Sequence, residues 1–341
     1  MSAVKRAIES PQAGLVVIVV LLGAVLTAFA GTHIDQRTGV TVNNFLNSYT
    51  LIQTATDASF FAIMAVGATI VIISGGIDLS VGSVYALAGV LTAMMLRSMS
   101  GADASALVFV ALAASIGIGI ACGAINGALV VGLRVHPFII TLGTMWILRG
   151  VAFVASNAES ILVPGALTRV AKASLGLGDA LYPVPMLVML LVAAAGSVYL
   201  TRTVHGRHVF AVGGNAEASR FSGVPIGRVT MRVYIIAGLT AGVAAFMGAS
   251  FYGSASCADA TGYELYVIAS AVVGGASLSG GKGSAVSALL GALLIVLIRQ
   301  SIRTLHFDQN YEWIIIGCAI IIAVVLDQTS ARLTARRWAR S

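Results

Sequence analysis

The sequence contains very little charge. Only 10% of its 341 residues are Asp, Glu, Lys or Arg, whereas about a quarter are charged in soluble domains. Hydrophobic residues make up 58% of the chain, and the mean hydropathy is +0.96. We therefore predict a membrane protein. Its apolar runs are long and continuous, which excludes a transmembrane barrel, because barrel strands alternate over about ten residues.

Cysteine is also scarce. Cys122, Cys257 and Cys318 lie far apart, form no C-x-x-C pair and fall mostly in apolar runs. This spacing gives neither a disulfide framework nor a zinc-type site, so we expect three small core residues. The five histidines fall in loops or at the ends of apolar runs. We accordingly predict no metal site and no catalytic residue.

Glycine, by contrast, is abundant, with 38 residues. Small residues let membrane helices approach closely, so the composition predicts an all-α, polytopic transmembrane helical bundle. We assign the glycines of Gly117-x-Gly119-x-x-x-Gly123 to helix packing. The apolar runs predict about 10 spans, with a range of 8–10. They cover residues 12–31, 58–74, 79–98, 104–133, 137–155, 184–200, 231–253, 264–279, 285–303 and 312–327.

The basic residues predict the orientation of these spans. With the N-terminus inside, 13 of the 20 Lys and Arg residues fall on the cytoplasmic side and five fall outside. Because cytoplasmic loops carry excess Lys and Arg, we expect cytoplasmic N- and C-termini and a single transmembrane domain over residues 1–341. Residues 201–230 are its longest cytoplasmic segment. The net charge of +7 then reflects topology, and we predict a lipid environment and no nucleic-acid partner.

Two glycine-rich stretches share the pattern G-G-x-x-L-S-x-G, at residues 75–82 and 274–281. We interpret them as an internal repeat, in parallel copies, because transporters often place broken helices of repeated halves beside the transport path. The second stretch superficially resembles a phosphate-binding loop. However, Ala276 stands where that loop needs glycine, and Gly283 stands where it needs Ser or Thr. The sequence therefore shows no nucleotide-hydrolysing module.

Asp78 is a carboxylate in an apolar neighbourhood, and two compatible interpretations are open. It could line a transport pathway, because charges inside membranes usually face a cavity or bundle interior. It could instead be the N-cap of the span that begins at Leu79. Other polar residues in or beside spans complete a tentative pathway set: Ser80, Asn126, Glu264 and Ser279. Asn126 could equally hydrogen-bond a neighbouring helix.

Four stretches carry a resemblance to a known family: residues 75–89, 136–150, 206–223 and 262–284. Here the sequence resembles the membrane-spanning permeases of bacterial ABC sugar importers of the ribose, xylose and galactofuranose kind, over nearly the whole chain. The resemblance implies a non-catalytic, multi-pass subunit of the bacterial inner membrane. It would form the pathway for a monosaccharide that a periplasmic sugar-binding protein delivers.

The resemblance also implies further partners. A separate cytoplasmic ATP-binding cassette subunit would bind ATP and Mg, so this chain itself would hold no cofactor. A second permease, identical or different, would complete the pore.

The family's coupling segment, which contacts the ATPase, matches Gly213, Gly214, Asn215, Glu217, Arg220 and Gly223. The residues themselves predict a short helix from Ala216 to Phe221, with Asn215 as its N-cap and Gly223 at its end. Such a helix could dock on the ATPase or could merely touch lipid headgroups.

Two other functional classes remain open. An ion-gradient-driven secondary transporter of a small polar solute would need no ATPase, but such proteins use intramembrane carboxylates in pairs or relays, which this sequence lacks. An intramembrane enzyme would need paired aspartates or a Ser/His pair, and Asp78 has no evident partner. A purely structural membrane subunit is the remaining alternative.

Overall fold

The computed structural model describes residues 11–35, 39–99, 101–176, 181–319, 321, 322 and 325, and most of them are helical. The helices are α1 (Pro11–Phe29), α2 (Ser48–Ile73), α3 (Val81–Arg97), α4 (Ala104–Leu133), α5 (Pro137–Ser156), α6 (Gly165–Ala171), α7 (Val184–Arg202), α8 (Val204–Gly214), α9 (Ala216–Phe221), α10 (Ile226–Tyr252), α11 (Tyr263–Val273) and α12 (Ala285–Thr304). Residues 311–319 are helical too.

Four short strands tie loops together in two antiparallel pairs. β1 (Thr32–Ile34) pairs with β2 (Thr41–Asn43) in the connection between α1 and α2. β3 (Ile161–Leu162) pairs with β4 (Ser254–Ala255), so the segment after α5 is held beside the segment after α10.

Seven helices in the described ranges are long and apolar enough to cross a membrane: α1, α2, α4, α5, α7, α10 and α12. The predicted helical membrane class is confirmed, but the count of about ten spans is not. The predicted spans 79–98 and 264–279 correspond to α3 and α11, with 17 and 11 residues, and a full crossing needs about 20. The predicted span 312–327 lies partly outside the described residues. The orientation of the termini stays a prediction.

The second span begins ten residues earlier than the predicted residue 58, because its polar start is satisfied within the helix. The Asn47 side chain accepts a hydrogen bond from the Thr50 N–H at 2.8 Å and caps α2. One turn on, the Thr54 hydroxyl donates to the Thr50 carbonyl at 2.7 Å. The predicted start of this span at residue 58 is therefore wrong.

The centre of the bundle is formed by α2 and α10. In the most apolar window of each helix, 94% of α2 and 78% of α10 are buried, against 6% of α1 and 17% of α5. α2 packs against α7, α10, α11 and α12. Cys122 and Cys257 are buried in this core as predicted, whereas Cys318 is exposed, so the core prediction is wrong for Cys318.

Glycines allow a close crossing of α4 and α10. An ideal Cβ added at Gly119 would overlap the Gly238 carbonyl and lie 3.0 Å from the Gly242 Cα, and one added at Gly123 would overlap the Tyr234 carbonyl. The predicted packing role is confirmed for these two glycines. It is wrong for Gly117, where an added Cβ would meet no atom of the described residues within 4 Å outside its own helix backbone.

This difference gives a matched pair of variants. Gly119→Ala should lower the free energy of unfolding by about 1–3 kcal/mol, because α4 and α10 must separate to admit the methyl group. Gly117→Ala should leave stability unchanged or slightly raise it, since alanine is the better helix former. Thermal unfolding in detergent measures both. Equal midpoints for the two variants would contradict the glycine crossing.

Candidate functional site

The two glycine-rich stretches end α2 and α11 with the same backbone shape. Gly75 and Gly275 have left-handed φ angles of +87° and +92°, which favour glycine. The following N–H groups reach back into the helices, from Gly76 to the Val71 carbonyl at 3.0 Å and from Ala276 to the Ala271 carbonyl at 2.9 Å. Each pattern is a glycine C-cap. We call residues 74–80 the first breakpoint and residues 274–284 the second breakpoint.

The structural register differs by one residue from the sequence pattern. The motif aligns Gly75 with Gly274, but Gly75 and Gly275 share the left-handed conformation. Ser74 and Gly274 are both right-handed C-cap residues. What the two stretches repeat is therefore the shape of the helix end. The parallel arrangement of the two copies stays a prediction.

A buried chain of hydrogen bonds fixes the first breakpoint. The Ser80 N–H and hydroxyl both donate to Asp78 Oδ1, at 2.8 and 2.6 Å, and the Asn126 side-chain N–H donates to Ser80 Oγ at 2.7 Å. All three residues are buried. Three of the five predicted pathway residues thus lie together, and Ser80 is the link between them.

The backbone of this breakpoint is held from two further helices. The Ile77 carbonyl accepts hydrogen bonds from the Thr141 hydroxyl of α5 at 3.2 Å and from the Tyr234 hydroxyl of α10 at 3.1 Å. Together with Asn126 of α4, these bonds join three helices to one short segment. Thr141 and Tyr234 were missed in the sequence because a Thr or Tyr in an apolar run is compatible with ordinary packing.

Asp78 is not the N-cap residue. That position is held by Ser80, and α3 begins at Val81, so the predicted N-cap at Asp78 and the predicted span start at Leu79 each lie two residues too early. The Asp78 carboxylate still lies beside the start of α3, where the positive end of the helix dipole favours a negative charge. Its pathway role stays a prediction. Asn126 hydrogen-bonds Ser80, just before α3. This contact agrees with its alternative role, which was to bond a neighbouring part of the bundle.

Glu264 and Ser279 lie apart from this chain. Glu264, in the first turn of α11, has a buried Oε2 with no hydrogen-bond partner within the described ranges. An ideal Cβ at Gly82 would lie 2.8 Å from that oxygen, so the carboxylate packs against the first turn of α3. Ser279 is exposed and belongs to the second breakpoint. Among the described residues, no hydrogen bond joins Ser279 to the other four.

The predicted cytoplasmic segment, residues 201–230, contains two short helices. Asn215 Oδ1 accepts a hydrogen bond from the Ala218 N–H at 2.9 Å, and α9 runs over Ala216–Phe221 as predicted. Gly223 follows it with a left-handed φ of +80°. Glu217 and Arg220 are exposed. The preceding helix α8 was not predicted; its start is capped by the Thr203 hydroxyl, which accepts a hydrogen bond from the Gly206 N–H at 3.0 Å.

Comparison with known proteins gives the family of this chain. Residues 50–324 match the family described as branched-chain amino acid transport system / permease component. The chain belongs to this permease family.

Curated relatives of the permease cover most of its length. The ribose import permease protein of Escherichia coli (strain K12) is 38% identical over 288 residues, 84% of this chain and 86% of its own. The D-allose transport system permease protein of the same strain is 36% identical over 289 residues, 83% and 85% of the two chains. The fructose import permease protein of Rhizobium meliloti is 30% identical over 296 residues, 85% and 81%. No solved structure matches the chain.

Arg149 of α5, which was not among the predicted site residues, bonds the backbone of a distant loop of the permease. Its guanidinium donates to the carbonyls of Cys257, Asp259 and Ala260 at 2.7, 2.6 and 3.3 Å. It therefore holds the loop between β4 and α11 against α5. Burial raises the pKa of the Asp259 carboxyl, whereas the Ser256 N–H and the Arg149 charge lower it. Arg149 is a charged residue inside an otherwise apolar run, and this is the feature of the sequence that could have indicated its role.

The polar chain at the first breakpoint of the permease can be tested against a neighbouring serine. Ser80→Ala should lower the free energy of unfolding by about 1–3 kcal/mol, because Asn126 and Asp78 both lose a buried partner. The Ser83 hydroxyl is buried without a hydrogen-bond partner among the described residues, so Ser83→Ala should cost little. Both are measured by thermal unfolding of the purified permease. A loss of equal size in the two variants would show that Ser80 has no special role.

Proposed function

We propose that this permease is the membrane-spanning subunit of an ATP-driven importer of a monosaccharide in a bacterial inner membrane. The relatives named for ribose, D-allose and fructose carry this proposal, because each covers at least four fifths of both chains. Ribose, D-allose and fructose are all monosaccharides. The family description names branched-chain amino acids, but the individual relatives narrow the substrate class to sugars.

The other subunits of the proposed complex would hydrolyse ATP, deliver the sugar and complete the pathway. A cytoplasmic ATP-binding cassette subunit would bind ATP and Mg and hydrolyse the nucleotide, so the permease itself is not catalytic. A periplasmic sugar-binding protein would deliver the sugar, and a second permease, identical or different, would complete the pathway. Outward-facing apolar side chains of α5, including Trp146 and Val154 with 68% and 79% exposure, suit lipid or that second subunit.

Helix α9 is the proposed docking element for the cassette. Its Glu217 and Arg220 side chains are exposed, and the Phe221 ring has 84% of its surface exposed. An exposed aromatic ring flanked by both charge signs matches the composition of binding hot spots, which are rich in aromatic residues and arginine. We infer that closure of the cassettes displaces α9 and tilts the spans, so the pathway opens to each side in turn.

The pathway itself is proposed to pass the first breakpoint. Asp78, Ser80, Asn126 and Glu264 surround the start of α3 and offer polar groups in an apolar bundle, as substrate pathways in membranes do. Weak contacts suit this role, because a tight site would retain a sugar that the binding protein has already selected.

Uptake into proteoliposomes tests the energy source. The permease is reconstituted with its cassette subunit and binding protein, and radiolabelled ribose, D-allose and fructose are the probes. We expect uptake of at least one sugar that requires ATP, stops with vanadate and is indifferent to an uncoupler. Uptake without ATP that an uncoupler abolishes would instead establish the ion-driven transporter.

The docking role of α9 is tested with a charge-matched control. Glu217→Ala with Arg220→Ala should reduce co-purification of the cassette and ATP-driven uptake by about tenfold, equivalent to about 1.4 kcal/mol. Glu159→Ala with Arg169→Ala removes the same two charges from exposed positions between α5 and α7, on the predicted external side. Co-purification of the cassette with this control should equal that of wild type. Intact cassette binding in the α9 variant would refute the assignment.

A further inference from the structure

The end of α8 meets both breakpoints at one glycine. An ideal Cβ added at Gly213 would overlap the Ile73 carbonyl at the end of α2 and lie 2.7 Å from the Gly281 nitrogen in the second breakpoint. These two groups are themselves joined, because the Gly281 N–H donates to the Ile73 carbonyl at 2.8 Å. Three segments that are distant in sequence therefore touch through backbone atoms alone.

Glycines of the second breakpoint complete the contact from the other side. An ideal Cβ at Gly280 would lie 2.6 Å from the Gly213 carbonyl oxygen, and one at Gly281 would lie 3.0 Å from the Gly214 Cα. Gly280 and Gly281 have left-handed φ angles of +84° and +72°, which already favour glycine. We call Ile73, Gly213, Gly214, Gly280 and Gly281 the glycine junction.

The junction is linked directly to α9. Asn215, the only residue between α8 and α9, donates its N–H to the Ala211 carbonyl at 3.0 Å, while its side chain caps α9 through the Ala218 N–H. One residue thus ties the end of α8 to the start of α9. A displacement of α9 must then move Gly213 as well, or break these hydrogen bonds.

Backbone contact makes the junction stiff. Packed protein interiors are as dense as organic crystals and transmit strain, and the three atoms nearest to an added Gly213 Cβ all belong to the backbone. The second breakpoint is also held against α2 elsewhere, since an ideal Cβ at Gly283 would lie 2.8 Å from Ile73 Cγ1. Movement of Gly213 therefore acts on the C-terminus of α2 and on the turn before α12 together.

We propose that Gly213 is a positioning residue that passes the displacement of α9 to both breakpoints at once. The proposal rests on the proposed function, in which a cassette ATPase moves α9. The proposal adds the path of this movement. It runs from α9 through α8 to the Ile73 carbonyl and the Gly280–Gly281 turn. From Ile73 it continues to the first breakpoint, with its chain of Asp78, Ser80 and Asn126.

Two glycines provide the test and its control. Gly132 of α4 is exposed, and an ideal Cβ there would meet no atom of the described residues within 4 Å outside its own helix backbone, so Gly132→Ala should transport as wild type does. Gly213→Ala inserts a methyl group between the three backbones. We expect about tenfold slower ATP-driven uptake, equivalent to about 1.4 kcal/mol, with cassette binding and ATP hydrolysis retained. Uptake equal to that of Gly132→Ala would overturn the proposal.

A distance measurement keeps the proposal testable if Gly213→Ala does not assemble. Spin labels are placed at the exposed positions of Ser222→Cys and Lys282→Cys in a Cys318→Ser background, and the complex is measured at rest and trapped with vanadate. A stiff junction predicts the same label distance within one subunit in both states. A changed distance would overturn the route. Absence of ATP-driven uptake in the wild-type complex, by contrast, would overturn the proposed function and leave the geometry of the junction untouched.

Discussion

The rest of this structure depends on satisfying backbone groups where helices break inside an apolar bundle. Lipid offers no water to an exposed N–H or carbonyl, so irregular backbone survives only where protein groups bond it. At the first breakpoint the Ile77 carbonyl receives two hydroxyl groups, from Thr141 and Tyr234. The Ser80 N–H is satisfied by Asp78. The polar residues of the candidate site are therefore also the residues that allow the helix to break.

The glycine crossing of α4 and α10 follows from the same constraint. Asn126 and Tyr234 reach the first breakpoint from these two helices, and both are held in place by a crossing in which Gly123 contacts the backbone of Tyr234. A wider crossing would shift at least one of the two donors. Close helix packing and the hydrogen bonds of the first breakpoint thus depend on each other. A variant that destabilises the crossing should also disturb those hydrogen bonds.

Features set by residues close in sequence were predictable, whereas contacts between residues far apart in sequence were not. The cap at Asn215 and the helix Ala216–Phe221 depend on neighbours three residues apart, and they are confirmed. The glycine motif located both breakpoints for the same reason. Its one-residue shift was not predictable, because the register is fixed by φ angles and by hydrogen bonds into the preceding helix.

Tertiary contacts explain the other differences between sequence and structure. Arg149 acts on carbonyls more than 100 residues away, and Gly213 on groups of two other segments. No local pattern reports either contact. The early start of α2 was missed for a different reason: its polar residues bond inside their own helix, so low hydropathy there did not mean a loop.

The two breakpoints share a shape but differ in how they are fixed. The first breakpoint is bonded by side chains from α4, α5 and α10, so it is a fixed part of the bundle. The second breakpoint is closed largely on itself: the Ser277 N–H donates to the Lys282 carbonyl at 3.1 Å, and the Gly280 N–H to the Ser277 carbonyl at 2.9 Å. Its bond outside this turn is from the Gly281 N–H to the Ile73 carbonyl, at 2.8 Å, so the turn moves with the end of α2. A displacement of Gly213 therefore reaches both breakpoints together. The two copies have the same shape, but the first is fixed by side chains of other helices and the second by its own backbone and by Ile73.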